Sequence, residues 1–141
     1  MELSFDTVDH GNGFDFGRAA ADYAKYRDIY PASLYRKLEE TGAVRAGLRV
    51  LDAGTGTGVL PRAMYGTGAR FTGIDLSPEQ IEAARALSAG KAIEYRVSPA
   101  ESTPFPARSF DTVTACQCIR YFDPERFSAE LARIMVPGGL L

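Results

Sequence analysis

The residues best suited to chemistry in this sequence lie in one short segment, Val50–Gly58, which reads V-L-D-A-G-T-G-T-G. Asp52 ends an apolar stretch, and glycines follow at alternate positions, Gly54, Gly56 and Gly58. Because glycine has no Cβ, its backbone can adopt positive φ and approach a ligand closely. A helix directly after the turn would add an electropositive N-terminus. We predict that this turn binds a small ligand through its backbone.

A second acidic residue, Asp75, stands about 20 residues after Gly54, at the end of the next predicted strand. In nucleotide-binding α/β folds, a carboxylate at this place accepts hydrogen bonds from both ribose hydroxyls. A dinucleotide fingerprint, G-x-G-x-x-G, would require glycine at position 59, which is Val59 here. The pattern predicts ribose binding, and a nicotinamide-dependent oxidoreductase is an alternative that Val59 disfavours.

The elements that must position these residues alternate between strands and helices. Short apolar segments predict strands at 48–52, 69–75, 92–97 and 110–115, with a fifth strand starting at 140–141. Helical patterns cover about 18–27, 31–41, 59–65, 77–88 and 123 to the Pro-Gly-Gly turn at 137–139. The predicted fold class is therefore α/β, a Rossmann-like parallel sheet with helices on both faces that is truncated after the start of strand five.

Two of these helices have clear start signals. Ser77 and Asp123 are each followed by proline, which suits the first helical position, and each can cap the helix with its side chain. Gln80, three residues after Ser77, completes a capping-box pattern. Met135 is assigned to the apolar side of the last helix.

Length suggests one domain, and charge narrows the class of partner. Residues 1–17 are predicted to be a flexible arm, and 18–141 to form the ligand-binding domain. The net charge of -2 disfavours nucleic acid as a partner. No signal-peptide pattern and no apolar run of about 18 residues are present, so we expect no membrane partner and a cytoplasmic location.

The cysteines do not predict a metal site. Cys116 and Cys118 are accompanied by one histidine, His10, which is too few ligands for structural zinc. They are interpreted as small apolar side chains near a strand end.

At these motifs the chain resembles the class I S-adenosylmethionine-dependent methyltransferases, in the branch similar to the ubiquinone/menaquinone-biosynthesis enzymes (methyltransferase type 11). V-L-D-A-G-T-G-T-G resembles the first motif of that family, and I-D-L-S at Ile74–Ser77 resembles the second. A-E-S-T-P-F from Ala100, S-F-D-T-V from Ser109 and R-I-M-V-P-G-G from Arg133 resemble three later segments. The resemblance implies S-adenosyl-L-methionine as cofactor and direct in-line methyl transfer to a small-molecule acceptor.

The resemblance also implies which residues contact the cofactor. Those that would hold its methionine part are Asp52, Ala53, Gly54, Gly56 and Gly58. Asp75 would bind the ribose, and Leu76 would pack on the adenine. Tyr26 and Arg27 match an element that folds over the site in relatives, where Arg27 would pair with the cofactor carboxylate.

The adenine and sulfonium ends have their own implied contacts. Ala100 and Glu101 would lie beside the adenine, with a backbone amide available to a ring nitrogen. Cys116 and Gln117 would face the sulfonium. Many relatives carry aspartate before the Ala-Glu pair, where Pro99 stands here. Adenine recognition would then depend on backbone groups, packing or the neighbouring serine.

No catalytic residue is assigned. Relatives often read A-Q-x-x-H-W-F-D after strand four, and the histidine position is Arg120 here. Arginine stays protonated and cannot act as a base. Arg120 could instead orient an acidic acceptor such as an enol, phenol or carboxylate, with Tyr121 as a wall of the acceptor site.

The resemblance implies a seven-stranded sheet in the order 3-2-1-4-5-7-6, and this sequence stops at strand five. Strand four, at 110–115, is therefore expected to be a sheet edge, and such edges invite pairing. We favour a fragment of a longer enzyme. The alternatives are a sheet completed by a second copy or another chain, or a truncated S-adenosylmethionine-binding or oligomerising domain without catalysis.

Overall fold

The computed structural model of the protein describes residues 30–141, which form a five-stranded parallel sheet in the order β3-β2-β1-β4-β5. The strands are β1 (Arg49–Ala53), β2 (Arg70–Asp75), β3 (Glu94–Val97), β4 (Phe110–Thr114) and β5 (Met135–Leu140). The helices are α1 (Ala32–Glu40), α2 (Val59–Met64), α3 (Pro78–Leu87) and α4 (Pro124–Ile134). The predicted α/β class is confirmed, and the strand order matches the first five strands implied by the resemblance. The expected arm at 1–17 and the helix at 18–27 lie outside the described residues.

Strand order reverses between β1 and β4, because the chain builds outward from β1 to β3 and then returns to β4 on the other side. Ligands of open α/β sheets bind at the carboxyl ends of strands near such a reversal. The glycine-rich turn after β1, which the sequence predicts to bind a ligand, begins at this point.

The sheet separates two apolar cores because successive strand residues face opposite sides. Leu51 and Ile74 face α4, whose Phe127 and Ile134 complete that core. The second core, against α1 and α2, contains Val50, Leu60, Met64 and Phe71. Neighbouring residues Val50 and Leu51 are both buried, as expected for a central parallel strand covered on both faces.

Strand five begins earlier than predicted. Helix α4 ends at Ile134, and Met135 is already extended, with φ -87° and ψ 147°. Met135 pairs with Phe110, and Leu140 pairs with Thr112. The assignment of Met135 to the helix and the start of the strand at 140 were therefore wrong. The expectation of an open strand-four edge was also wrong, because β5 covers β4.

The two predicted helix caps are confirmed. Ser77 Oγ accepts the Gln80 N–H at 3.3 Å, and Asp123 Oδ1 accepts the Arg126 N–H at 2.9 Å. The capping box is only half formed, however. The Ser77 N–H donates to Asp75 Oδ1 at 3.0 Å, so the Gln80 side chain is not its acceptor.

None of the helices in the described part of the chain has the length and apolar character needed to cross a membrane. Residues 30–141 also bring no group of three His, Cys, Asp or Glu side chains together in a way that could hold a metal ion. Cys116 and Cys118 are both free thiols.

Candidate functional site

The turn between β1 and α2 is held against the end of β2. The Gly56 N–H donates to Asp75 Oδ2 at 2.9 Å, and the Thr55 N–H donates to the Ile74 carbonyl at 2.9 Å. Gly54, Gly56 and Gly58 all have positive φ, at 68°, 56° and 76°. The structure therefore brings the glycine turn and Asp75 together at one edge of the sheet.

The three glycines are required for different reasons. A Cβ on Gly54 would lie 2.6 Å from Cys118 Sγ, and one on Gly58 would lie 2.7 Å from Tyr95 Cζ. These two positions are thus fixed by packing within the chain. A Cβ on Gly56 would meet only Gln80 Oε1, at 4.0 Å, so this glycine faces open space.

Two acceptors lie close to Gly56, and one of them has no donor. Gln80 Oε1 is buried and has no hydrogen-bond partner among the described residues. Buried acceptors are normally paired, so an unpaired one indicates a missing donor. Asp75 borders the same space through its contact with Gly56, and each carboxylate oxygen can accept a further hydrogen bond. The residues present therefore fit a ribose, whose hydroxyls are donors.

Asp52 is a buried carboxylate that joins the turn to β4. It is 4% exposed, and it accepts the Thr55 hydroxyl at 2.8 Å and the Thr114 hydroxyl at 2.6 Å. Burial raises the pKa of Asp52 to about 6, against the opposing effect of the two hydroxyl hydrogen bonds. Asp75 raises this pKa slightly further. Contact between Asp52 and the cofactor methionine stays a prediction.

The residues expected around an adenine differ in exposure. Leu76 is 69% exposed directly after Asp75, which leaves an apolar surface available for stacking. Ala100 is buried, and its segment begins next to β2, where the Ser98 N–H donates to the Asp75 carbonyl at 3.0 Å. Glu101 points toward α4, because its Oε1 accepts the Asp123 N–H at 3.0 Å.

The turn after β4 contains the two cysteines in different surroundings. Cys116 packs on the core below α2, and burial raises its pKa to about 11. Cys118 donates its Sγ–H to the Ala53 carbonyl at 3.1 Å and fills the space above Gly54. Burial raises the pKa of Cys118 to about 12, so both side chains are neutral thiols near pH 7.

The sequence predicts Cys118 only as a small apolar side chain near a strand end, whereas in the structure it lies on the glycine turn. The available signal was Gly54 itself, since a glycine leaves space that a neighbouring side chain can fill, but the sequence could not identify that neighbour. Gln117, between the cysteines, is exposed with φ 64°, a conformation that costs free energy in a residue other than glycine. That Cys116 and Gln117 face the cofactor sulfonium stays a prediction.

Two exposed side chains follow on the same turn. Arg120 Nη2 donates to Tyr121 Oη at 2.9 Å, and the guanidinium carbon lies 4.9 Å from the centre of the tyrosine ring. Tyr121 is 73% exposed. Tyr26 and Arg27, the other residues expected near the cofactor, lie outside the described residues.

Comparisons with known proteins identify the family of this chain. A family model described as a methyltransferase domain matches residues 51–141. The ubiquinone biosynthesis O-methyltransferase of Thiobacillus denitrificans is 34% identical over 140 residues, covering 85% of this chain and 60% of that protein. The demethylmenaquinone methyltransferase of Tropheryma whipplei (strain Twist) is 39% identical over 100 residues, covering 70% of this chain and 41% of that protein.

A solved structure with the same fold is described as a SAM-dependent methyltransferase from Aquifex aeolicus. It has a TM-score of 0.70 and 24% identity, and the match covers 89% of this chain and 69% of that one. This likeness supports the fold. The chain spans 60% or less of the length of the two enzymes compared above.

Proposed function

The chain belongs to the methyltransferase domain family, whose methyl donor is S-adenosyl-L-methionine, and we propose that it serves methyl transfer from this donor to a small-molecule acceptor. The observation that carries the proposal is the space beside Gly56, bordered by Asp75 and by the unpaired Gln80 Oε1. The two relatives are named for steps in ubiquinone biosynthesis and demethylmenaquinone methylation, which supports an acceptor of the quinone-precursor kind.

Different residues at this end of the sheet would contact different parts of the cofactor. Asp75 and Gln80 would accept hydrogen bonds from the ribose, and Leu76 would cover the adenine. The backbone of the glycine turn would hold the methionine part, with Asp52 keeping that turn on β4. When bound, the cofactor supplies a methyl group already activated by the sulfonium.

The protein side of the reaction would be alignment and exclusion of water rather than proton abstraction. The described side chains at this edge are poorly suited to a base. Asp52 has both oxygens hydrogen-bonded to threonines, Cys118 is a neutral thiol, and Arg120 stays protonated. This supports direct in-line displacement, in which the acceptor attacks the methyl carbon as the sulfur leaves.

Calorimetry with S-adenosylhomocysteine tests the proposed cofactor. The wild-type protein is expected to release heat on binding S-adenosylhomocysteine and to show no saturable heat with a nicotinamide dinucleotide. Absence of binding to S-adenosylhomocysteine, or tight binding of the dinucleotide, would contradict the proposal. The dinucleotide arm also tests the oxidoreductase that Val59 disfavours.

Asp75→Ala should weaken binding of S-adenosylhomocysteine by about 1–3 kcal/mol, or roughly 5- to 150-fold in Kd. The variant removes the proposed ribose acceptor and also the acceptor of the Gly56 and Ser77 N–H groups. Glu82→Ala is the matched control, because Glu82 is an exposed carboxylate on α3. Equal affinity of Asp75→Ala and wild type would exclude Asp75 from the binding site.

A further inference from the structure

The segment between β3 and β4, residues 100–105, is tied to α4 at two separate points. At the start of α4, Glu101 Oε1 accepts the Asp123 N–H at 3.0 Å. In the second half of the helix, Glu130 Oε1 accepts the Thr103 N–H at 2.9 Å and the Thr103 hydroxyl at 2.6 Å. Two carboxylates therefore fix one short segment on one helix.

The contact at Glu130 is a charged network around a buried carboxylate, with the exposed Arg133 as its cation. Glu130 is 8% exposed, and its Oε2 accepts the Arg133 Nε–H at 3.0 Å. Arg133 also donates to the carbonyls of Phe105, at 2.7 Å, and Thr103, at 3.2 Å. A buried carboxylate is costly unless it is paired and hydrogen-bonded, so this network favours one placement of the segment over others. The guanidinium of Arg133, with the Thr103 donors, lowers the pKa of Glu130 to about 2.

The segment held in this way forms part of the proposed cofactor site. Ser98, two residues before the segment, is bonded to the end of β2, because its N–H donates to the Asp75 carbonyl at 3.0 Å. Ala100 and Phe105 pack in the core that also contains Phe127 of α4. A displacement of the segment from α4 would therefore move the backbone that lies next to the ribose and adenine region.

Helix α4 also continues directly from the turn that carries Arg120 and Tyr121. Its first cap residue, Asp123, is the residue whose N–H donates to Glu101. The adenine segment and the turn after β4 therefore share one hydrogen bond at the start of α4, and the position of one depends on the other.

We propose that Glu101 and Glu130 are positioning residues, which hold residues 100–105 on α4 and so set the shape of the adenine subsite. The proposal rests on the cofactor site proposed above. In this arrangement the Glu101 side chain contacts α4, and the backbone of Ala100 and Glu101 faces the ligand.

Calorimetry with two ligands tests the proposal on the full chain. S-adenosylhomocysteine contains the whole cofactor framework, whereas 5'-methylthioadenosine retains adenine and ribose but lacks the amino-acid part. Glu101→Ala and Thr103→Val should each weaken binding of both ligands by the same factor, about three- to tenfold. Glu101→Gln retains the acceptor for the Asp123 N–H and should bind both ligands within about twofold of wild type.

Two controls separate positioning from general loss of stability. Glu125→Ala removes an exposed carboxylate from the first turn of the same helix and should leave both affinities unchanged. Asp111→Asn disrupts the ion pair between Arg49 Nη2 and Asp111 Oδ1, which are 3.1 Å apart at the amino-terminal ends of β1 and β4. It should lower the melting temperature without changing either affinity.

The outcomes distinguish this proposal from the proposed function. If wild type does not bind S-adenosylhomocysteine, the proposed function is wrong. If wild type binds but Glu101→Ala and Thr103→Val bind both ligands equally well, the positioning role is wrong. Loss of S-adenosylhomocysteine binding with unchanged methylthioadenosine binding would also overturn it, because the defect would then lie at the methionine end.

Discussion

Gly58→Ala is expected to lower the free energy of unfolding by about 4 kcal/mol, combining strain at positive φ with overpacking. Gly58 has φ 76°, and the added Cβ would lie 2.7 Å from Tyr95 Cζ and 2.9 Å from Cε1. Tyr95 cannot easily move away, since it is 3% exposed and its hydroxyl is 2.9 Å from Ser88 Oγ. Equilibrium urea unfolding would measure the loss.

Two other glycines isolate the steric part of this effect. Gly90 has φ 81° with nothing within 4 Å of an added Cβ, so Gly90→Ala should cost only about 1 kcal/mol. Gly66→Ala, in open space without positive φ, should be near neutral. A Gly58→Ala loss no larger than that of Gly90→Ala would show that contact with Tyr95 is unimportant.

The second large effect is expected from Asp52 as the pH changes. Its pKa is about 6 in the folded protein and near 3.8 for the unfolded residue. The folded state therefore binds more protons than the unfolded state between these values. Stability from this group is fully present below about pH 4 and is lost as the pH rises through about 6, by roughly 3 kcal/mol in all.

Comparison of wild type with Asp52→Asn over pH 4 to 7 would measure this contribution. Asp52→Asn should remove the fall in the free energy of unfolding between about pH 4 and 6. Thr114→Val removes one hydroxyl donor to the carboxylate and should move the fall to higher pH. Identical pH profiles for wild type and Asp52→Asn would contradict the raised pKa. Glu130, whose pKa is lowered from 4.5 to about 2, raises stability as the pH increases to about 5, but this contribution is present in both proteins and cancels in their comparison.

Local sequence signals predicted helix starts correctly where a side chain bonds to backbone groups a few residues away along the chain. The proline and cap residues at Ser77 and Asp123 marked two helix starts, since both caps bond to an N–H three residues later. The same local reasoning failed at β5. Pro137, Gly138 and Gly139 resemble a turn in isolation, but pairing with β4 extends the chain from Met135 onward, with a register shift in the ladder.

The sequence by itself determined that Asp52, the glycine turn and Asp75 share one edge, because the carboxyl ends of parallel strands meet there. Only the tertiary structure decided which glycine faces the ligand space. Cys118 fills the space at Gly54, and Tyr95 fills the space at Gly58, while Gly56 stays open. Those neighbours come from β3 and from the turn after β4, so their contacts depend on how the strands pack and not on spacing along the chain.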